Sequence, residues 1–263
     1  MAVTPHQNNV PLDPFQAAMA SRDADVLSMV RDALAAGRTR MAFQPIVLAT
    51  DRTTTAFHEG LIRVLDETGR VIPAGHFMPV IAETELGREI DCTTLALAFD
   101  LLRQTPALRL SINVSARSLG DGKWRDTLQR GLAADGCLGD RLIFEISESS
   151  AMQLHEVVIR FMAEMQPRGV AFALDGFGAG MTAFRLLKDF FFDLVKIDKG
   201  FIHDINAKPD NQVLAEALIM VAQQFEMFVV ADGIESEADA ALITLLGADC
   251  LQGFHLGVPR FTL

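Results

Sequence analysis

An acidic side chain stands at the end of a short apolar segment in the middle of the chain. Residues 170–174 are rich in β-forming side chains, and Asp175 follows them at the start of a glycine-punctuated turn. An apolar run of this length, bounded by turn residues, is typical of a strand buried on both faces. The carboxylate of Asp175 would therefore be held on a rigid element and would face the open end of a sheet.

Polar side chains recur at comparable positions along the chain. Seven of them stand at the ends of predicted strands: Glu59, Asn113, Glu145, Asp175, Lys196, Asp232 and Gln252. From Asn113 onward the separations are 32, 30, 21, 36 and 20 residues, near the ~30 residues of one strand–helix unit. Taken singly, each is best explained as a polar strand end or a helix cap. Seven polar residues at the ends of successive predicted strands favour a shared site.

The elements that must position these residues alternate between strand and helix. Eight strands are predicted, at residues 41–47, 54–63, 108–113, 141–145, 170–175, 192–196, 227–231 and 250–252. The short connection between the first two strands favours an antiparallel pair, whereas the helices predicted between the later strands require parallel ones. The fold class is therefore α/β, a (β/α)8 TIM-like barrel with an irregular first pair, whose strand ends converge on one mouth.

Composition narrows the classes of function. Half of the 263 residues are hydrophobic, which is enough for one large core, and the net charge of −11 argues against binding duplex nucleic acid. The three cysteines are far apart, which favours a reducing compartment. No apolar run approaches the ~18 residues of a membrane span, so we expect a cytoplasmic protein. Residues 1–22 are predicted to form a flexible tail or linker, and residues 23–263 the barrel domain.

Four of the strand-end residues offer oxygen ligands: Glu59, Asn113, Glu145 and Asp175. Such a set suits Mg²⁺, Mn²⁺ or Ca²⁺ rather than zinc. A lysine beside the set, as Lys196 would be, can position a water molecule or stabilise charge on a phosphoryl group. The chemistry indicated is metal-assisted hydrolysis of a phosphodiester.

An ordered series of short motifs accompanies this pattern. It comprises Phe43-Gln-Pro-Ile-Val47, Glu59-Gly-Leu-Ile-Arg63, Phe77-Met-Pro-Val-Ile-Ala-Glu83, Ser111-Ile-Asn-Val-Ser-Ala-Arg117, Phe144-Glu-Ile-Ser-Glu-Ser149, Lys196-Ile-Asp198, Ala231-Asp-Gly-Ile-Glu235 and Gln252-Gly-Phe254. Over roughly residues 24–260 the chain resembles the EAL-domain family. Its members are bacterial phosphodiesterases that open cyclic di-GMP to linear pGpG with Mg²⁺ or Mn²⁺. The resemblance implies a barrel with one antiparallel strand.

The resemblance also assigns roles to individual residues. It makes Glu59, Asn113, Glu145 and Asp175 ligands of a first Mg²⁺ or Mn²⁺ ion. It implies that Lys196 orients the attacking water and that Glu148 braces the loop after Asp175. It implies contacts with cyclic di-GMP for Gln44, Leu61, Arg63, Asp198 and Gln252, with Arg63 facing a phosphate.

The chain departs from the family pattern at two ligands of the second metal ion. Gly176 stands where the family has the second of two adjacent aspartates, and Asp232 stands where it has a glutamate. Asp232 would thus be a shortened ligand for the second ion. In a two-metal mechanism the ions flank the attacking and leaving oxygens, and we expect this second ion to bind weakly or not at all. Gly60, in place of the alanine of the family signature, is a milder change that we expect to loosen the strand. We expect hydrolysis to be reduced or lost.

Three hypotheses about function follow from these departures. The retained contacts favour a cyclic di-GMP receptor, and the intact first-metal set favours a working phosphodiesterase that gives pGpG. The third hypothesis, a scaffold that binds only a protein partner, rests on the departures alone. By resemblance, a homodimer would meet near the helices that follow Asp175. The Phe190, Phe191 and Phe192 run is predicted to pack in the core, with a partner-facing patch as the alternative.

Overall fold

The computed structural model describes residues 13–82, 84–180 and 184–263. Within these ranges eight strands close into a barrel: β1 (Thr39–Leu48), β2 (Thr55–Leu65), β4 (Leu110–Asn113), β5 (Leu142–Ser147), β6 (Ala171–Phe177), β7 (Leu194–Ile197), β8 (Phe228–Asp232) and β9 (Cys250–Gln252). Their order is β1-β9-β8-β7-β6-β5-β4-β2, and pairing between β1 and β2 closes the ring. The predicted barrel and its eight strands are confirmed. A two-residue strand, β3 (Val71–Ile72), extends the edge of β2 and was not predicted.

Strand direction matches the prediction. β1 is antiparallel to both of its neighbours, β2 and β9, and the remaining pairs around the barrel are parallel. The turn between β1 and β2 is held by Asp51, whose carboxylate accepts hydrogen bonds from Thr53 and Thr54. So short a connection can only return the chain antiparallel to itself. This pairing places Gln44 directly opposite Glu59.

Helices cover the outside of the barrel. They are α1 (Pro14–Ala35), α2 (Ala74–Ile81), α3 (Glu85–Gln104), α4 (Gly122–Ala134), α5 (Glu148–Gln153), α6 (His155–Met165), α7 (Phe184–Leu187), α8 (Lys199–Ile202), α9 (Pro209–Gln224) and α10 (Glu237–Leu245). Ser236 caps α10, as the sequence indicates, by accepting a hydrogen bond from the Asp239 backbone N–H. Among the described residues, no helix is both long enough and apolar enough for a membrane crossing.

The beginning of the chain differs from the prediction. The first helix was expected to start at Asp23, but α1 begins at Pro14, so residues 14–22 are helical rather than a loose tail. A proline is tolerated in the first turn of a helix because the N–H that it lacks would have no partner there. Residues 1–12 lie outside the described ranges, and the division into a tail and a barrel domain stays a prediction.

The barrel interior has two layers. The apolar layer consists of Ile46, Phe57, Ile143, Ala173, Leu194, Val230 and Cys250. The next inward-facing residue, two positions away on each strand, is polar. These residues, together with Asn113 on β4, form the polar layer: Gln44, Glu59, Glu145, Asp175, Lys196, Asp232 and Gln252. The apolar layer therefore closes the barrel beneath the polar layer and supports it from one side.

A second, larger core lies between the strands and the helices. An aromatic cluster of Trp124, Phe144, Phe161 and Phe172 is buried there, with ring centroids 5.5–6.0 Å apart. In the phenylalanine run the two outer rings are buried, as predicted, but Phe191 is 60% exposed. The prediction that this run packs in the core is therefore confirmed for Phe190 and Phe192 and wrong for Phe191.

Candidate active site at the barrel mouth

The ammonium group of Lys196 lies at the centre of the polar layer. Its Nζ is 2.8 Å from Glu145 Oε2 and 2.9 Å from Glu59 Oε2, and it approaches Asp175 Oδ1 at 3.9 Å. Lys196, Glu59 and Glu145 are all buried. The lysine and the acids come from β2, β5, β6 and β7, so closure of the barrel brings together residues up to 137 positions apart.

The protonation of this cluster follows from its burial and its charges. Burial alone would lower the pKa of Lys196, but Glu145 and Glu59 raise it well above its usual value. Burial, reinforced by the charge of Glu59, raises the pKa of Glu145 to about 8 despite the nearby ammonium. For Glu59 burial is outweighed by Lys196 and by three side-chain hydrogen bonds, and its pKa is lowered. Glu59 therefore stays ionised beside the lysine, whereas Glu145, whose charge also acts on the lysine, is the carboxyl that takes up a proton more readily.

Amide side chains hold Glu59 from two sides. Asn113 Nδ2 donates to Glu59 Oε1 at 2.8 Å, and Gln252 Nε2 donates to Glu59 Oε2 at 2.6 Å. Gln252 Nε2 also lies 3.2 Å from Gln44 Oε1, and Gln44 Nε2 donates to the Gly257 carbonyl at 3.1 Å. Gln44 and Gln252 are buried, so these two residues order the polar layer itself.

The donor set of the predicted first metal site fits a divalent cation in its chemistry. Oε1 of Glu145 is buried and has no hydrogen-bond partner. Four carboxylates act on the single ammonium of Lys196: Glu145, Glu59, Asp175 and Asp232. Buried negative charge in such excess is usually compensated by protons or by a bound cation. In the described ranges, however, no three acidic, histidine or cysteine side chains are already arranged around a cation position. Lys196 holds the two glutamates instead.

The predicted second metal site does not fit. Gly176 has no side chain and a backbone φ of +71°. A Cβ atom built on Gly176 would meet nothing within 4 Å, so no neighbouring atom occupies the first position of a side chain there. Asp232 is half-buried at the end of β8, and burial raises its pKa although Lys196 opposes the shift. The family pattern has an aspartate at position 176 and a glutamate at position 232 as ligands of the second ion. In this chain only the shorter carboxylate of Asp232 remains.

Glu148 contacts the loop that follows β6. Its Oε2 accepts hydrogen bonds from the backbone N–H groups of Gly178 at 3.0 Å and Gly180 at 3.4 Å. Glu148 is buried in the first turn of α5, directly after β5. The contact implied by the family resemblance is therefore present, and it ties the loop beyond Asp175 to the neighbouring strand end.

Three predicted ligand contacts lie further out at the mouth. Leu61 and Arg63 follow Glu59 on the inward face of β2, and both are half-buried. The Arg63 guanidinium donates to the Ile62 carbonyl at 3.2 Å. Asp198 caps α8 by accepting a hydrogen bond from the Gly200 N–H at 2.8 Å, so part of its capacity is already used locally.

A cavity of about 290 Å³ beside the mouth includes a residue that sequence reasoning missed. Asn113, Glu145 and Asp91 are among its lining residues. Asp91 Oδ2 accepts hydrogen bonds from the Ser115 backbone N–H at 3.0 Å and from Ser118 Oγ at 2.6 Å. It thereby fixes the loop that follows Asn113. One acid inside a helix pattern is typical of a solvated face, so no sequence pattern indicates this role for Asp91.

A closed barrel with one antiparallel strand and an acidic mouth centred on a lysine agrees with the family that the motifs indicated. The family model described as "EAL domain" matches residues 27–259. The chain therefore belongs to the EAL-domain family.

Known relatives and solved structures show the same similarity. The bifunctional diguanylate cyclase/cyclic di-GMP phosphodiesterase MucR of Pseudomonas aeruginosa is 28% identical over 247 residues, which cover 92% of this chain and 36% of that protein. Cyclic di-GMP phosphodiesterase PdeF of Escherichia coli is 28% identical over 239 residues, covering 89% of this chain and 32% of that protein. The chain spans about a third of the length of these curated relatives. The Pseudomonas aeruginosa FimX EAL domain bound to c-di-GMP superimposes with a TM-score of 0.82 at 25% identity, covering 90% of this chain and 97% of that one.

Proposed function

We propose that this domain recognises cyclic di-GMP at the barrel mouth and hydrolyses it slowly or not at all. The observation that carries the proposal is Gly176, which offers no ligand where the family resemblance implies a carboxylate, although a Cβ atom there would meet no neighbour within 4 Å. The polar layer around Lys196 is otherwise complete in the residue types that the family resemblance implies. Recognition and hydrolysis therefore depend on different parts of the mouth.

Recognition would rest on two residues of the polar layer and on three that lie further out at the mouth. Gln44, Leu61, Arg63, Asp198 and Gln252 are the proposed ligand contacts. Support comes from two structural neighbours solved with bound c-di-GMP, the PaMucR phosphodiesterase and the FimX EAL domain. Arg63 lies at the lip, half-buried, and a guanidinium can bind a phosphate through two parallel hydrogen bonds.

Glu59, Asn113, Glu145 and Asp175 would hold the first Mg²⁺ or Mn²⁺ ion. When bound, such an ion polarises a phosphoryl oxygen and lowers the pKa of a water molecule. The residues of the chain have their own tasks. Lys196 keeps Glu59 and Glu145 in place at 2.9 and 2.8 Å, and its ammonium is available to orient a water molecule or an anionic phosphoryl group. Asn113 fixes the second oxygen of Glu59.

Slow hydrolysis follows from the second site. A mechanism with two ions needs them about 3.5–4 Å apart, so that both the attacking and the leaving oxygen are stabilised. Gly176 supplies no ligand, and the carboxylate of Asp232 is one carbon, about 1.5 Å, shorter than that of a glutamate. Loss of an electrostatic element of this kind commonly lowers a rate by about 10²-fold or more.

Two alternatives have specific support. The complete contacts among Glu59, Lys196 and Glu145 favour a working Mg²⁺- or Mn²⁺-dependent phosphodiesterase that gives pGpG. The exposed apolar side chains of α9, which include Val213 (67% exposed) and Met220 (54%), favour a homodimer or a protein-binding scaffold. A homodimer is compatible with either nucleotide function.

Calorimetric titration with cyclic di-GMP, with and without Mg²⁺, tests the proposal when the nucleotide is afterwards recovered and separated by chromatography. The proposal expects binding with intact nucleotide, or with only slow conversion to pGpG. Rapid conversion would support the working phosphodiesterase. Absence of binding in both buffers would contradict nucleotide recognition and leave the scaffold.

A further inference from the structure

Two arginines face each other at the lip of the barrel. In the antiparallel pairing of β1 with β2, Arg40 lies directly opposite Arg63. Residues opposite each other in such a pair project from the same face of the sheet. Four pairs further along the ladder, Gln44 lies opposite Glu59, and both belong to the polar layer. Since the side-chain period of a strand is two residues, Arg40 and Arg63 also project toward the mouth.

The charge of Glu59 acts on Arg63, but no ion pair in the described part of the chain offsets the repulsion between the two guanidinium groups. Like charges placed directly opposite each other destabilise a sheet. Neither guanidinium forms an ion pair with another described residue, and the hydrogen bond recorded for Arg63 goes to the Ile62 carbonyl. Arg40 is exposed, so its side chain is free to turn toward a ligand. Two unpaired guanidinium groups on one face form a suitable place for an anion.

The lip is distinct from the acidic centre. Arg63 is four residues beyond Glu59 on β2, which corresponds to about 13 Å along an extended strand. An anion bound between the two arginines is therefore separate from a phosphoryl group held at Lys196. A cyclic dinucleotide carries two phosphodiesters on opposite sides of its ring, so one ligand can place one phosphate at each position.

We propose that Arg40 is a second phosphate-binding residue, which together with Arg63 holds the phosphodiester of the cyclic dinucleotide that lies away from Lys196. This inference rests on the proposed function, because it adds a residue to the same ligand site. A guanidinium on each side would give that phosphate charge-assisted hydrogen bonds from two directions. It would also select ligands with a second phosphate over those with one.

The test compares the wild-type chain with R40A, R40K and R130A in calorimetric titrations with cyclic di-GMP at three NaCl concentrations. Arg130 is exposed on α4, where it bonds within its own helix, and serves as the matched control. Because a hydrogen bond to a charged group contributes roughly 1.5–3 kcal/mol, R40A should bind at least about 10-fold more weakly. The affinity of R40A for cyclic di-GMP should also depend less on the NaCl concentration than that of the wild type. R40K should be intermediate, because it keeps the charge but not the two-pronged geometry.

Thermal unfolding of the same variants separates binding from folding. R40A removes a like-charge contact, so its melting temperature should equal or exceed that of the wild type while its affinity falls. Wild-type affinity in R40A would overturn the role of Arg40 and leave the proposed function intact. Failure of the wild-type chain to bind cyclic di-GMP would overturn the proposed function, and the role of Arg40 with it.

Discussion

Nζ of Lys196 lies 2.8 Å from Oε2 of Glu145, whereas Oε1 of the same carboxylate is buried without a partner. The lysine therefore satisfies only half of this carboxyl group. Burial and the neighbouring acids raise the pKa of Glu145 to about 8, so a proton competes for this group near neutral pH. A divalent cation would have to displace that proton, since metal ligands bind in their deprotonated form.

Glu59 and Glu145 should respond differently to the same substitution. Glu59→Gln removes the charged partner of a buried ammonium, which should lower the free energy of unfolding by about 3 kcal/mol. Glu145→Gln replaces a group that is already largely neutral, so we expect a loss below about 1 kcal/mol. Both variants should bind Mn²⁺ more weakly. Urea unfolding at pH 7 provides the measurement, and equal losses in the two variants would contradict the assignment of charge.

Removing the Glu148 carboxylate should loosen the loop after β6. In Glu148→Ala the N–H groups of Gly178 and Gly180 lose their shared acceptor. Hydrogen bonds to a charged group contribute roughly 1.5–3 kcal/mol, so amide exchange in residues 176–180 should become at least 10-fold faster. Glu148→Gln keeps a neutral acceptor of the same shape and should fall between alanine and the wild type. Unchanged amide exchange in Glu148→Ala would show that the loop is ordered without the hydrogen bonds to Glu148.

Asp91 should make stability depend on pH in a defined window. Burial raises its pKa from 3.8 to about 6 in the folded chain. Between these values the folded state keeps a proton that the unfolded state has lost, so stability falls as pH rises from about 4 to about 6. This difference in pKa corresponds to a loss of at most about 3 kcal/mol. Above pH 6 this contribution is constant.

Asp91→Asn cannot titrate at this position. The wild type loses stability as pH rises from about 4 to about 6, and Asp91→Asn does not. The free energy of unfolding of Asp91→Asn minus that of the wild type should therefore increase across this window and stay constant above pH 6. Ser118→Ala should move the upper edge of the window to higher pH, because the hydrogen bond from Ser118 lowers the pKa of Asp91. Urea unfolding at several pH values measures both effects. A difference between Asp91→Asn and the wild type that does not vary with pH would contradict this account.

Gly60 and Met41 should be coupled. A Cβ atom on Gly60 would lie 2.9 Å from Met41 Sδ and 3.1 Å from Leu110 Cδ1. The thioether of Met41 thus occupies the space that an alanine at position 60 would need, and the expected loosening of the strand is replaced by close packing. Gly60→Ala alone should cost about 1–3 kcal/mol through overpacking. Together with Met41→Val it should cost less than the sum of the single changes, as a double-mutant cycle of unfolding free energies would show.

Most of the barrel was predictable because each strand is a short apolar run that ends in a polar residue. The pairing of Gln44 with Glu59 was within reach of the motif order, but their hydrogen bonds through Gln252 were not, since they depend on closure of the ring. The predicted tail over residues 1–22 misses the start of α1, because Pro14 is compatible with the first turn of a helix as well as with a loop. The strand β3 has two residues and therefore no periodicity to detect.

The parts of the site that escaped prediction depend on three-dimensional proximity. Asp91 lies on α3, 24 positions before the Ser115 N–H that it accepts, and no spacing rule connects them. Arg40 and Arg63 lie opposite each other because of the register in which β1 pairs with β2. The predicted strand bounds do not fix that register, and a shift of one residue would place the two side chains on different faces of the sheet. The absence of a second carboxylate at Gly176, in contrast, is visible in the sequence. The structure adds that a Cβ atom at this position would meet no neighbour within 4 Å.

The central claim is that hydrolysis is limited by the missing second-site ligands, and restoring them tests it most directly. The measurement is the rate of pGpG formation from cyclic di-GMP with Mn²⁺ in G176D/D232E, beside the wild type and the uncharged control G176N/D232Q. Aspartate and asparagine tolerate the positive φ at position 176 equally well, so the two variants differ in charge rather than in strain. We predict a gain of about 10²-fold or more in G176D/D232E alone. A rate no higher than that of the control would contradict the account.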